Sequence, residues 1–231
     1  MEIGGLQKLT LIDYPGKIAV TVFTVGCNFR CPFCYSTEIV LPEKLKNHPR
    51  ISQAAFFSFL EKKNGLIEGV VICGGEPTCQ KDLPLFSSKI KKMGFDVKLD
   101  TNGSNPKMLK KLIDEGLIDY VAMDIKSPKE KYPFFSGRKD NVLDVEKSIN
   151  ILKQEKIEYE FRTTVAPGLT STDIFQIAEW IGPARAYFLQ AINLEKDVVN
   201  PEIKKLPLLS KEEIQRVISK IKNKFKICKF R

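Results

Sequence analysis

One histidine, one tryptophan and only six cysteines occur among the 231 residues. No run approaches the roughly 20 apolar residues that a membrane-spanning helix requires. No apolar segment with a small-residue cleavage site opens the chain. A membrane partner is therefore not expected, and the expected location is the cytoplasm, where reducing conditions argue against structural disulfides. Blocks of roughly five or six like charges are absent, and basic residues do not interleave with aromatic ones as a single-strand groove would require. Nucleic acid is thus not the expected partner, even though the formal charge is +9. That charge, carried mainly by lysine, fits a solvated lysine-rich surface as well as an anionic partner. Neither a break in composition nor a repeat of fixed period divides the sequence. The expectation is one domain over 1–231, with an N-terminal extension at 1–16 and a C-terminal helix and tail from about 207 to 231. A 43% hydrophobic chain of this length can bury a core without metal or disulfide staples.

The apolar residues switch repeatedly between strand-like and helix-like periods. Buried strands are predicted at 17–25 (KIAVTVFTV), 66–73 (LIEGVVIC), 96–100 (DVKLD), 119–125 (DYVAMDI), 159–165 (YEFRTTV) and 185–190 (RAYFLQ). Helices are predicted between them at 52–65, 83–94, 105–116, 142–154 and 171–182, and after them at 210–225. Ser52 reads as an N-cap, and Ser210 with Glu213 as a capping box. Six strands, each followed by a helix or helix-sized connection, predict an α/β fold with a parallel sheet covered on its outer side. Six units are too few to close an eight-stranded barrel, which leaves an open barrel or a doubly wound sheet. The unusual residues favour the barrel. CNFRCPFC, GGEPT, TNG and MDIKSP follow or end the first four strands, while RTT and LQ lie on the last two. In βα barrels such strand ends converge on one face, where chemistry is built. The expected architecture is a partial (βα)6 TIM-like barrel.

Three of the six cysteines fall within eight positions, as Cys27-x3-Cys31-x2-Cys34. A disulfide framework, a structural metal site and a metal centre with an open position are the three explanations. Thiolates select zinc or iron–sulfur clusters. Structural zinc wants four protein ligands, usually as two separated pairs. Cys73 and Cys79 do not supply such a pair, and His48 lies beside Pro49. The spacing favours a 4Fe–4S cluster that leaves one iron without a protein ligand. Cys73 ends a buried strand and reads as a small core residue, while Cys79 and Cys228 have no ligand spacing. In GGEPT (74–78), Gly74 and Gly75 permit a sharp turn and close backbone approach to a ligand. Taken alone, Asp124 and Lys126 could be an ordinary surface pair, and DYPG (13–16) a turn.

CxxxCxxC after the first strand and GGEP after the second resemble the radical S-adenosylmethionine (SAM) superfamily. Within it, GGLQKLTLIDYPGKIAVTVFTVGCNFRCPFC, ICGGEPT, LDTNG, MDIKSP and FRTTVAPGL resemble the glycyl-radical-enzyme activases. The similarity is greatest to the activating proteins of anaerobic ribonucleoside-triphosphate reductase, and the tail NPEIKKLPLLSKEEI fits the same group, so the resemblance spans nearly the whole chain. It implies a 4Fe–4S cluster on Cys27, Cys31 and Cys34, with the amino and carboxylate groups of SAM on the open iron. Reductive cleavage of SAM would give methionine and a 5′-deoxyadenosyl radical that abstracts hydrogen. The resemblance further implies Phe33 and Tyr35 at the adenine, Gly74, Gly75 and Glu76 at the methionyl amino group, and Asn102 near SAM. Asp124 and Lys126 would lie toward the ribose and carboxylate, with Arg162 and Gln190 completing the pocket. A monovalent cation is implied at Asp100, Thr101 and Asp124, whose hard oxygens suit it. DYPG is placed by the resemblance near the barrel mouth, within reach of a target. The sequence departs from the family's usual His-Asn or Tyr-Asn at Tyr35-Ser36, and carries Gln190 where some activases have histidine. Between Cys34 and Gly74 no cysteine other than Cys73 occurs, so the insert that carries extra clusters in some activases is not expected.

The expectation is a radical SAM oxidoreductase that makes a glycyl radical on an anaerobic ribonucleotide reductase, fed by a low-potential donor such as ferredoxin or flavodoxin. One rival is a radical SAM enzyme modifying a small molecule or a tRNA base. The other is a zinc-stabilised nucleic-acid-binding module, which predicts a colourless protein without SAM cleavage.

Overall fold

The computed structural model describes residues 1–231. Its strands are β1 (Ile3–Thr10), β2 (Ala19–Thr24), β3 (Gly69–Gly74), β4 (Asp96–Thr101), β5 (Tyr120–Asp124), β6 (Glu158–Thr164), β7 (Ala184–Gln190) and β8 (Phe225–Phe230). They form one sheet in sequential order, with β1 antiparallel to β2 and every other pair parallel. Two short helices, α1 (Thr37–Val40) and α2 (Pro42–Leu45), follow the cysteine loop, and α3 (Gln53–Glu61) leads toward β3. The later connections carry α4 (Leu83–Lys92), α5 (Pro106–Asp114), α6 (Tyr132–Ser136), α7 (Val142–Leu152), α8 (Ser171–Ile181) and α9 (Lys211–Ile221). No helix is long and apolar enough to cross a membrane.

Strands β2 to β7 are the six expected ones. They read as apolar runs because both their faces are covered. Val20, Val22, Val70 and Ile72 face outward with no exposed surface, against a layer that includes Phe56, Leu60, Phe86 and Ile90 of α3 and α4. The rings of Phe56 and Phe86 stack there at 5.2 Å between centroids. Side chains of opposite parity point into the curl of the sheet. Since β1 and β8 are its two ends and do not pair, the curl is a partial barrel with a lateral opening.

β1 occupies the expected N-terminal extension, and β8 the expected C-terminal tail, so both segments belong to the sheet. The direction of β1 also corrects the placement of DYPG. Because β1 runs down from Ile3, opposite Thr24, to Thr10, opposite Ala19, residues 11–18 lie at the floor of the barrel. Tyr14 is buried there, with its ring 6.0 Å from that of Tyr120. This segment closes the end opposite the cysteine loop.

Candidate active site

The chain leaves β2 through Gly26, whose φ of +85° suits glycine and whose N–H bonds to the Ile39 carbonyl at 2.7 Å. The cysteine loop that follows is fixed from three sides. Glu76 N–H reaches the Gly26 carbonyl at 2.8 Å, Arg30 N–H reaches Ser136 O at 2.8 Å, and Val199 N–H reaches Cys34 O at 3.0 Å. Arg30 Nη1 donates to the carbonyls of Cys27 and Phe29, both at 2.7 Å. Cys27, Cys31 and Cys34 all border one cavity, and all six cysteines are free thiols. Burial pushes the Cys27 thiol up, against a 3.3 Å hydrogen bond from Phe29 N–H, and pushes Cys31 to about 12. Binding a metal group would release these protons. No three His, Cys, Asp or Glu side chains converge tightly enough to hold one ion. His48 is engaged elsewhere, 2.7 Å from the Gly4 carbonyl oxygen. Three thiols without an imidazole, spread around a cavity wall, fit a cluster that distributes its ligands over separate irons.

The glycines after β3 press the strand end against this loop. A Cβ at Gly74 would lie 2.3 Å from Thr24 N, and one at Gly75 would lie 1.9 Å from Gly26 O. Close packing of two backbones is therefore their first requirement, ahead of any ligand. Glu76 is buried and joins the loops after β3 and β4. Its carboxylate accepts from Thr78 N–H at 3.0 Å, Thr78 Oγ1 at 2.5 Å, Thr101 Oγ1 at 2.7 Å and Asn102 N–H at 2.7 Å. Burial still raises its carboxyl above the ordinary range, with these donors working the other way. Asn102 continues the chain of contacts by donating Nδ2 to Asn28 Oδ1 at 3.0 Å.

Across the cavity, three cations and two carboxylates alternate along the inner face of β4, β5 and β6 and the residues just past β5. Lys98 pairs with Asp100 Oδ1, and Arg162 Nη1 lies 2.8 Å from Asp100 Oδ2. Arg162 Nε then meets Asp124 Oδ1 at 2.8 Å, and Lys126 Nζ meets Asp124 Oδ2 at 3.0 Å. Burial would raise Asp124, but Arg162 and Lys126 hold it well below the carboxylate range; burial would also raise Asp100, but Arg162 and Lys98 lower it. Burial likewise fails to lower Lys126, which Asp124 raises. Asp124 and Lys126 are thus part of a buried network and not an isolated surface pair. The same network engages the oxygens at which a monovalent cation was expected. All four oxygens of Asp100 and Asp124 face protein cations, and the Thr101 hydroxyl is turned to Glu76. Asp100, Thr101 and Asp124 present no open oxygen cage.

The cavity these elements enclose measures about 610 Å³. Every residue expected at the site borders it, including Phe33, Tyr35, Lys126 and Gln190. Phe33 also packs its ring 6.3 Å from that of Phe135, and exposed Tyr35 lies under Lys196, 4.7 Å from ring centroid to Nζ. Several lining residues were not expected: Gln7 on β1, Asp13 and Thr21 at the floor, and Ile192 and Lys196 after β7. Cys73 lines the wall as well and is not a core residue; burial lifts its thiol to about 12. Lys98 carried a readable signal, a charge two positions before Asp100 on a strand otherwise buried.

A family model, the radical SAM superfamily, matches residues 21–181. The chain belongs to the radical SAM superfamily. A provisionally named glycyl-radical enzyme activating enzyme of Methanocaldococcus jannaschii is 34% identical to this radical SAM chain over 230 residues, covering 96% of the chain and 92% of the relative. This radical SAM enzyme is accordingly a homologue of glycyl-radical enzyme activating enzymes, and its family implies a 4Fe–4S cluster and SAM. Among solved structures, TYW1 with a lysine–pyruvate adduct shares the fold at a TM-score of 0.63 and 17% identity, covering 89% of this chain and 73% of that one. A domain of pyruvate-formate lyase-activating enzyme from Bacteroides vulgatus ATCC 8482 does so at 0.54 and 19%, covering 69% and 98%.

Proposed function

We propose that this radical SAM enzyme activates an anaerobic ribonucleotide reductase by forming a glycyl radical on it, in the cytoplasm, with electrons from a ferredoxin or flavodoxin. The near full-length likeness to an activating enzyme carries the reading, and the LIDYPGK segment and the tail point to the reductase. Cys27, Cys31 and Cys34 would hold the cluster. When bound, the cluster and SAM supply a 5′-deoxyadenosyl radical by reductive cleavage of the sulfonium.

The chain's own residues orient and enclose. Arg162 and Lys126 give the cavity wall the positive charge that a methionyl carboxylate needs, and Asp124 between them holds both cations in place. Gly74 and Gly75 let the end of β3 pack directly against the cysteine loop, and Glu76 ties that loop to the end of β4 through Gly26 O and Asn102 N–H. Below them the cavity continues between Phe23, Val71 and Thr21, where a narrow peptide loop bearing glycine has room.

The test is anaerobic reconstitution followed by mixing with SAM, reductant and the anaerobic reductase of the same organism. A glycyl-radical signal in electron paramagnetic resonance, with roughly stoichiometric 5′-deoxyadenosine, is expected. Absence of the radical with every such reductase, together with faster SAM cleavage on adding a tRNA or a nucleotide, would establish the small-molecule or tRNA reading instead.

A further inference from the structure

Residues 134–139 lie directly against the outer side of the cysteine loop. Ser136 O accepts Arg30 N–H at 2.8 Å and sits 4.0 Å from Cys31 Sγ. Gly137, at φ +66°, packs so closely that a Cβ there would come within 2.3 Å of Arg30 O. On this stretch Phe134 is 54% exposed. Its ring stands edge-on to buried Phe135, 5.1 Å between centroids, and Phe135 lies 6.3 Å from Phe33 between Cys31 and Cys34. An unbroken aromatic path therefore runs from solvent to the loop.

The charges around Phe134 point the same way. Arg138 and Lys139 are exposed, and neither they nor Arg30 pair with an acid, whereas nearby Lys129 and Lys131 are bound to Glu146 and Asp173. Asp140 is the one acidic residue of the stretch 134–140. An exposed aromatic with an unpaired cationic rim has the anatomy of a docking site for an acidic protein.

We infer that a small acidic one-electron carrier protein docks on this face to reduce the cluster, with Phe134 as the anchor and Arg30, Arg138 and Lys139 as the rim. The inference rests on a cluster held by Cys27, Cys31 and Cys34, and is independent of which glycyl-radical enzyme is served. One electron passes from the reduced carrier, which is thereby oxidised, to the oxidised cluster; no bond breaks and no proton is needed. Electron tunnelling weakens steeply with distance, so the carrier must sit where the surface comes nearest the cysteines. The cavity side has to stay open for SAM and the target glycine.

Stopped-flow mixing of the reconstituted protein with reduced acidic ferredoxin tests this directly. Arg138→Glu with Lys139→Glu should slow cluster reduction about tenfold or more at low salt and flatten its salt dependence. Phe134→Ala should slow it by a few fold, roughly threefold. Reduction by dithionite and SAM affinity should stay within about twofold in all variants, as for surface substitutions generally. Wild-type rates with ferredoxin in both variants would overturn the inference, and so would equal slowing with dithionite, which marks a structural role. Unchanged ferredoxin-driven reduction with a lowered glycyl-radical yield under dithionite would assign the face to the target enzyme and equally defeat it.

Discussion

A single methyl group on Gly75 would sit 1.9 Å from the carbonyl oxygen of Gly26, and neither atom is on a flexible side chain. Gly75→Ala must therefore displace the cysteine loop. Calorimetric melting should show a loss of about 1–3 kcal/mol, typical of overpacking, and iron retention after reconstitution should fall with it. An unchanged melting temperature with full iron would mean that the two loops can separate freely. Sequence alone shows that a glycine pair after a strand permits close approach; what it approaches depends on the partner loop, some 50 positions away in Gly26. Arg162 shows the same limit. Its type and strand were legible, but its contacts with Asp100 and Asp124 are set by how three strands align. Replacing it with Gln leaves two carboxylates short of a partner and should cost about 3–5 kcal/mol at pH 7. Both carboxyls are held below their ordinary values, so their contribution is complete above the unfolded value of about 4 and disappears as pH falls through the folded values. Urea unfolding of wild type and Arg162→Gln should thus show a stability gap that narrows from pH 7 to about pH 3.5. A gap independent of pH would remove these carboxylates from the effect.

Helix ends separate what local chemistry reveals from what packing decides. Ser210 and Glu213 form the expected capping box on α9, with Glu213 N–H 3.2 Å from Ser210 Oγ and Ser210 N–H 2.8 Å from Glu213 Oε2. Thr170 and Asp173 form a second box on α8 that the usual Glu or Gln signature does not flag. There Asp173 is buried and shared with Lys131, its side chain only 4% exposed. Ser210→Ala should cost about 1 kcal/mol, and Thr170→Ala nearer 2 kcal/mol, in equilibrium unfolding. Equal costs would mean that burial of the second cap adds nothing. The six interior strands were legible because burial on both faces leaves an apolar run. β1 and β8 were not. Ile3–Thr10 contains two glycines and an exposed Gln7-Lys8-Leu9, and Phe225–Phe230 interleaves apolar residues with Lys226 and Lys229. Edge strands meet solvent along much of their length, so their pattern does not stand out from loop or helix end.

The whole molecule is a sheet that curls without closing, and its two edges, β1 and β8, leave a lateral opening. The six interior units place the expected residues around one space, which is why most of the site could be read from strand-end motifs. The floor could not, since Asp13 and Gln7 reach the cavity only through the antiparallel return of β1. That return makes the lateral opening testable. Gln7 is exposed on the edge strand and borders the cavity on the side away from the cysteine loop. Gln7→Trp adds bulk there while touching neither the cysteine loop nor the Arg162 network. Stability should change by no more than about 0.5 kcal/mol, as for other surface substitutions. SAM affinity, measured by calorimetry on the reconstituted protein, should stay within about twofold, because the residues proposed to bind SAM lie at the opposite end. Glycyl-radical yield on the partner should fall about tenfold, because a loop drawn out of a folded enzyme must be ordered in the opening before its glycine can react. Undiminished yield with a stable variant would show that the glycine arrives from the mouth, past Tyr35 and Lys196, and that the gap between β1 and β8 is only the seam of an unfinished barrel.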